Sequence, residues 1–66
     1  MIRVNEKWNV AWRPGITIQD VLQEMGFTTH LLVVSVNDTH VPPEHFDTCT
    51  LQDGDNLQAI HIIAGG

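Results

Sequence analysis

The 66 residues predict a single α+β domain, a mixed sheet of four to five strands with one helix packed across it. Three observations carry that expectation. The first thirteen residues hold two short runs of alternating apolar residues around a polar turn. A helical stripe with a capping residue at each end follows. The remainder is two strand-like runs punctuated by Asn-Asp, Pro-Pro and Asp-Gly.

Taken in order, Ile2 and Val4 alternate with polar neighbours, and "NEK" at 5–7 offers a turn. Trp8, Val10 and Trp12 then share one face of a second run, giving an N-terminal hairpin closed by Pro14-Gly15. In "TIQDVLQEMG", Thr17 is a good N-cap and Asp20 can complete a capping-box-like start. Ile18, Val21, Leu22 and Met25 lie at i, i+3, i+4 and i+7, one apolar stripe facing a core. Gly26 is placed to end the helix. "HLLVVSVN", 30–37, is apolar on both parities and marks a central strand, with Asn37-Asp38 as its turn. Val41 must be extended before Pro42, and Pro43 can open a single helical turn. Asp53-Gly54 supplies another tight turn, and 57–63 make the last strand. A hairpin, a crossing helix and further strands beside it are of the β-grasp type. A ferredoxin-like split βαβ would need a second full helix where "PPEHF" is much too short.

Composition narrows the function. A chain of this size buries only about 60% of its unfolded surface, which leaves a thin core and little room for a walled cleft. No run nears the ~20 apolar residues of a membrane helix, and the start lacks a signal-peptide pattern. A cytoplasmic protein without membrane association is therefore expected. The one cysteine, Cys49, has no internal partner and no basic neighbour in sequence to activate it. All three cations, Arg3, Lys7 and Arg13, precede Pro14; beyond it stand seven acids and no Lys or Arg. That balance disfavours nucleic acid and anionic membranes and suits a basic protein partner.

Catalytic and metal motifs are weak. His30, His40, His45 and His61 match no standard ligand spacing and have no cysteine pair beside them, so no metal site is expected. There is no G-x-S-x-G, no recognisable Cys-His frame and no Gly-rich phosphate loop. Asp53 and Asp55 flank Gly54 as turn residues do. The chain does not read as an enzyme by itself.

What remains is the end, "HIIAGG". A carboxylate that must enter a partner's active site is best approached past glycines, which have no Cβ to obstruct it. Beyond a domain at 1–63, residues 64–66 can project roughly 10 Å. "LQDGDNLQAIHIIAGG", with "VNDTHVP" and "PGITIQDVLQEMG", resembles the ThiS family of sulfur carriers in thiamine biosynthesis, small proteins of the ubiquitin-like β-grasp superfamily.

The resemblance implies a mechanism. An E1-like adenylating enzyme, using ATP and magnesium, activates the carboxylate of Gly66, which Gly65 precedes. Sulfur from a cysteine desulfurase pathway then displaces AMP and leaves a thiocarboxylate, which thiazole synthase consumes. No cofactor is expected on the carrier. The chain departs from the family at Pro43, where a basic residue is expected, and at Phe46, where a tryptophan is common; partner contacts at that turn are expected to differ. The small subunit of molybdopterin synthase shares the fold and the Gly-Gly end but tends to be longer, with prolines before its tail. A β-grasp interaction module without carrier activity is the remaining alternative.

The last strand is apolar on both parities. If the helix covers the face carrying Leu57, Val34 and Val36, then Val33, Ile60 and Ile62 are left on the open face as a docking patch. Asp53 and Asp55 are expected at its rim, steering a basic partner.

Overall fold

Two hairpins and one inserted strand build the sheet. In the computed structural model, which describes residues 1–27 and 32–62, β1 (Ile2–Val4) and β2 (Trp8–Val10) pair antiparallel. β3 (Leu32–Val36) and β4 (Thr39–Val41) do the same. Between the hairpins lies β5 (Asn56–His61), parallel to β1 and antiparallel to β3, so the order is β2-β1-β5-β3-β4. Helix α1 (Ile18–Met25) joins the hairpins. The architecture is the expected β-grasp.

Local chemistry explains each element. In the first hairpin Asn5 and Glu6 both take positive φ, 54° and 56°, and Lys7 N–H closes on the Val4 carbonyl at 3.0 Å. Asn37 and Asp38 do likewise in the second, at 50° and 69°, the primed turn whose twist matches the strands it joins. The helix starts with the full capping box. Thr17 Oγ1 accepts from Asp20 N–H, and the Asp20 carboxylate accepts from Thr17 N–H, each at 3.1 Å. Two further N–H groups of the first turn find loop carbonyls: Ile18 donates to Cys49 and Gln19 to Phe46. At the other end Gly26 is left-handed, Gly26 N–H reaches the Gln23 carbonyl, and Phe27 N–H reaches that of Leu22. This is a Schellman closure, and it directs Phe27 back toward the sheet.

The core follows the alternation. Ile2, Val4, Val10, Val34, Leu57 and Ala59 face Ile16, Ile18, Val21 and Leu22 across a single buried layer, with Leu32, Phe46 and Leu51 completing it. Val36, Val41 and Met25 pack at its margin.

The strand Thr39–Val41 brings the sheet to five strands, within the four to five expected, although its short sequence carries no alternation of its own. Some element bounds need adjusting. β5 begins one residue earlier than expected and ends at His61, and β3 runs from Leu32 to Val36. Trp12 stands outside β2, its indole N–H donating to the Leu51 carbonyl at 2.9 Å, so only Val10 of the expected Trp8-Val10-Trp12 face is buried. Pro43–His45 form the anticipated single turn, a 3-10 turn with Pro42 extended before it. Residues 28–31 and 63–66 lie outside the described residues, and with them His30 and the expected tail bearing Gly65 and Gly66.

Candidate functional site

Because α1 and the core cover one face of the sheet, the two parities of β5 have opposite fates. Leu57 and Ala59 face α1 and are buried, while Gln58 and Ile60 face away. In the antiparallel register Val33 is the direct partner of Ile60, and Ser35 of Gln58. On β4, His40 opposes Ser35; on β1 and β2, Arg3 opposes Asn9. The open face is thus polar over Asn9, Arg3, Asn56, Gln58, Ser35 and His40. It turns apolar only toward the end of β5, where Ile60 is 60% exposed and Ile62, just past the strand, 48%. Val33 is half-buried beside them.

The structure therefore brings together three of the five residues expected to dock a partner. Asp53 and Asp55 are not among them. Both precede β5, and Asp55 stands five residues before Ile60, about 16 Å away along an extended strand. Both carboxylates thus stand at the turn before β5 and not beside Ile60. These carboxylates serve the turn instead. Asp55 accepts from Gln52 N–H at 2.8 Å and from the Asn37 side-chain amide at 3.0 Å; Asp53 pairs with the N-terminal amine. Gly54 between them has φ 93°, the left-handed conformation that a turn closed from Gln52 to Asp55 requires at that position.

Phe46 is 2% exposed, a core residue under the helix start, so it presents no surface to a partner. Pro43 is exposed. Cys49 is half-buried. Among the described residues no three His, Cys, Asp or Glu side chains gather at metal-binding range, and there is no pocket. None of the described helices is long and apolar enough to cross a membrane.

Two features at the end of β5 were not anticipated. On the helix side, Phe27 stands edge-on to His61 at 5.4 Å and to Trp8 at 6.3 Å between ring centroids, and Lys7 Nζ lies 5.2 Å above the Trp8 ring. On the β1 side, the Asn5 side chain bonds the backbone of Ala59 twice: Oδ1 accepts from Ala59 N–H at 2.7 Å, and Nδ2 donates to the Ala59 carbonyl at 3.1 Å. Asn5 and Ala59 are 54 residues apart. Nothing in "VNEKW" beyond a turn-forming asparagine signals that contact.

Comparison with known proteins agrees with this architecture. The model of the ThiS family matches residues 4–66. The chain is similar to the crystal structure of a thiamine biosynthesis protein (ThiS) from Geobacter metallireducens. The TM-score is 0.78 at 24% identity, over 98% of this chain and 97% of that one. A solution NMR structure of a thiamine biosynthesis protein from the same organism superposes with a TM-score of 0.75, also at 24% identity, over 98% of this chain and 86% of the other. At that identity the likeness speaks for the fold.

Proposed function

The chain belongs to the ThiS family, and on that premise we propose that it is a sulfur carrier that works through the carboxyl group of Gly66. The observation that carries the proposal is the reach of the family match, which runs through β5 to the Ile-Ala-Gly-Gly end. An E1-like adenylating enzyme activates the carboxylate with ATP and magnesium. Sulfur drawn from a cysteine desulfurase pathway displaces AMP, and thiazole synthase takes the sulfur from the resulting thiocarboxylate during thiamine biosynthesis. The carrier is a protein co-substrate of the cytoplasm with no resident cofactor, and catalysis belongs to its partners.

The open-face patch supports this reading. An exposed apolar cluster on a small protein is suited to contact, and Val33, Ile60 and Ile62 sit where β5 hands over to the carrier end. A partner docked there has Gly66 four residues beyond Ile62, within roughly 14 Å at full extension.

The test is intact-mass measurement after incubation with the adenylating enzyme, ATP-magnesium and a sulfur donor. One oxygen replaced by sulfur is the expected result. An unchanged mass with an active partner overturns the carrier reading, and adducts on lysines of other proteins would replace it with that of a ubiquitin-like modifier.

A further inference from the structure

The hydrogen bonds between Asn5 and Ala59 lie where β5 loses its neighbour. β1 pairs with β5 at Arg3↔Asn56 and Val4↔Leu57, and Asn5 N–H still reaches the Leu57 carbonyl at 2.9 Å. At Asn5 and Glu6 the backbone then turns away into the hairpin. Ala59 is 4% exposed, and its N–H and C=O on the vacated side would have no strand to bond. Buried peptide groups must be paired, and the Asn5 side chain pairs both.

An asparagine side chain resembles a peptide group, a carbonyl acceptor beside an NH2 donor on a planar amide. Asp has the acceptors without the donor, and Gln places the amide one methylene further out. Asparagine also tolerates the left-handed φ of 54° that this turn position demands. The turn residue thus extends the β1 edge by one rung without any further strand.

We propose that Asn5 is a positioning residue for sulfur transfer: its clamp on Ala59 fixes the direction in which β5 carries the chain toward Gly66. The inference rests on the carrier reading above. Ala59 is the last residue of β5 bonded on the β1 side; beyond it the strand pairing continues with β3 only, Ile60 opposite Val33 and His61 opposite Leu32. From Ala59 to Gly66 the chain reaches at most about 23 Å, so a swing of about 10° at the clamp displaces the carboxylate by up to about 4 Å. Misplacement of an ångström at a reacting group can cost about 100-fold in rate. Ile60 keeps its register with Val33, which holds the centre of the docking patch on β3, so the cost of the swing falls mainly on turnover within the complex.

Asn5→Gly is the informative variant, because glycine accepts the positive φ and removes only the side chain. Glu6→Gly is its control: it lies in the same turn at φ 56° and has no bond to β5. Hydrogen exchange of the Ala59 amide, and kcat and KM for thiocarboxylate formation by the adenylating enzyme, are measured on wild type and both variants while all are folded. In Asn5→Gly, Ala59 exchange should rise at least about tenfold and kcat should fall at least about tenfold, with KM within about twofold of wild type. Glu6→Gly should change neither. An Ala59 amide that exchanges as in wild type, or a kcat equal to that of Glu6→Gly, overturns the positioning role alone. Failure of wild type itself to gain sulfur overturns the carrier reading and the positioning role together.

Discussion

Val33 on β3 and Ile60 on β5 are direct cross-strand partners on the face that α1 leaves open. Their pairing makes one apolar spot from two distant parts of the chain. Ile60→Asp should weaken binding to the adenylating partner at least tenfold, about 1.4 kcal/mol or more. The monomer should stay folded, since Ile60 is mostly solvent-exposed and a β-propensity loss is within about 1 kcal/mol. Titration calorimetry with a circular dichroism control decides it. Undiminished binding, or an unfolded variant, removes the patch as the docking site.

Removal of Gly66, or Gly65→Val, should abolish sulfur transfer and leave the melting temperature nearly where it was. The expected tail would supply the reacting carboxylate, and the buried core of the described residues runs from Ile2 to Ala59. Mass spectrometry and a thermal melt read the two effects separately. A large drop in melting temperature would make the glycines structural.

Leu22→Ala and Phe46→Ala should each destabilise through cavity formation, by about 2–5 and about 3–5 kcal/mol respectively, in urea unfolding. Leu22 is fully buried on α1, and Phe46 closes the core beneath its first turn, where the Phe46 carbonyl also accepts from Gln19 N–H. A Phe46→Ala protein of wild-type stability but weakened partner binding would return that residue to the surface role its position in the family resemblance suggested.

Asp20 predicts an acid dependence. The Thr17 backbone N–H, then the Thr17 hydroxyl, and with them the charge of Arg13, hold the Asp20 carboxyl below the ordinary aspartate value despite slight opposing desolvation. A depressed folded pKa means the stabilisation is complete above the unfolded value, about 3.9, and disappears as pH falls through the folded value. The melting-temperature gap between wild type and Asp20→Asn should therefore be constant near neutrality and close in acid. A gap that widens on acidification would contradict the cap.

The parts legible in the sequence are those whose cause is local. Thr17, Asp20 and Gly26 bracket the helix because capping needs only residues three or four positions apart. Asn37-Asp38 and Asp53-Gly54 announce turns for the same reason. The burial of Leu57 against the exposure of Ile60 was legible from parity once the helix was given a face to cover. What local pattern does not encode is which strand neighbours which. The short polar β4 and the clamp from Asn5 depend on register between remote segments, whereas the separation of Asp55 from Ile60 follows from the length of β5 alone. Phe46 was weighed by its place in a family pattern, while the tertiary packing that buries it has no periodic signature in a 3-10 turn.

The central place of β5 has a kinetic side. In the sheet the two hairpins are separated by this strand, so the sheet closes only when a segment near residue 57 threads between elements formed some twenty and fifty residues earlier. Such remote pairing is late and slow relative to hairpin closure. Until it happens Ile60 has no Val33 opposite it, and a partner that docks on that pair meets only chains that have finished folding. The adenylating step would then discriminate mature from immature protein with no separate proofreading device, and a nascent or unfolded chain with the same two glycines would go unspent.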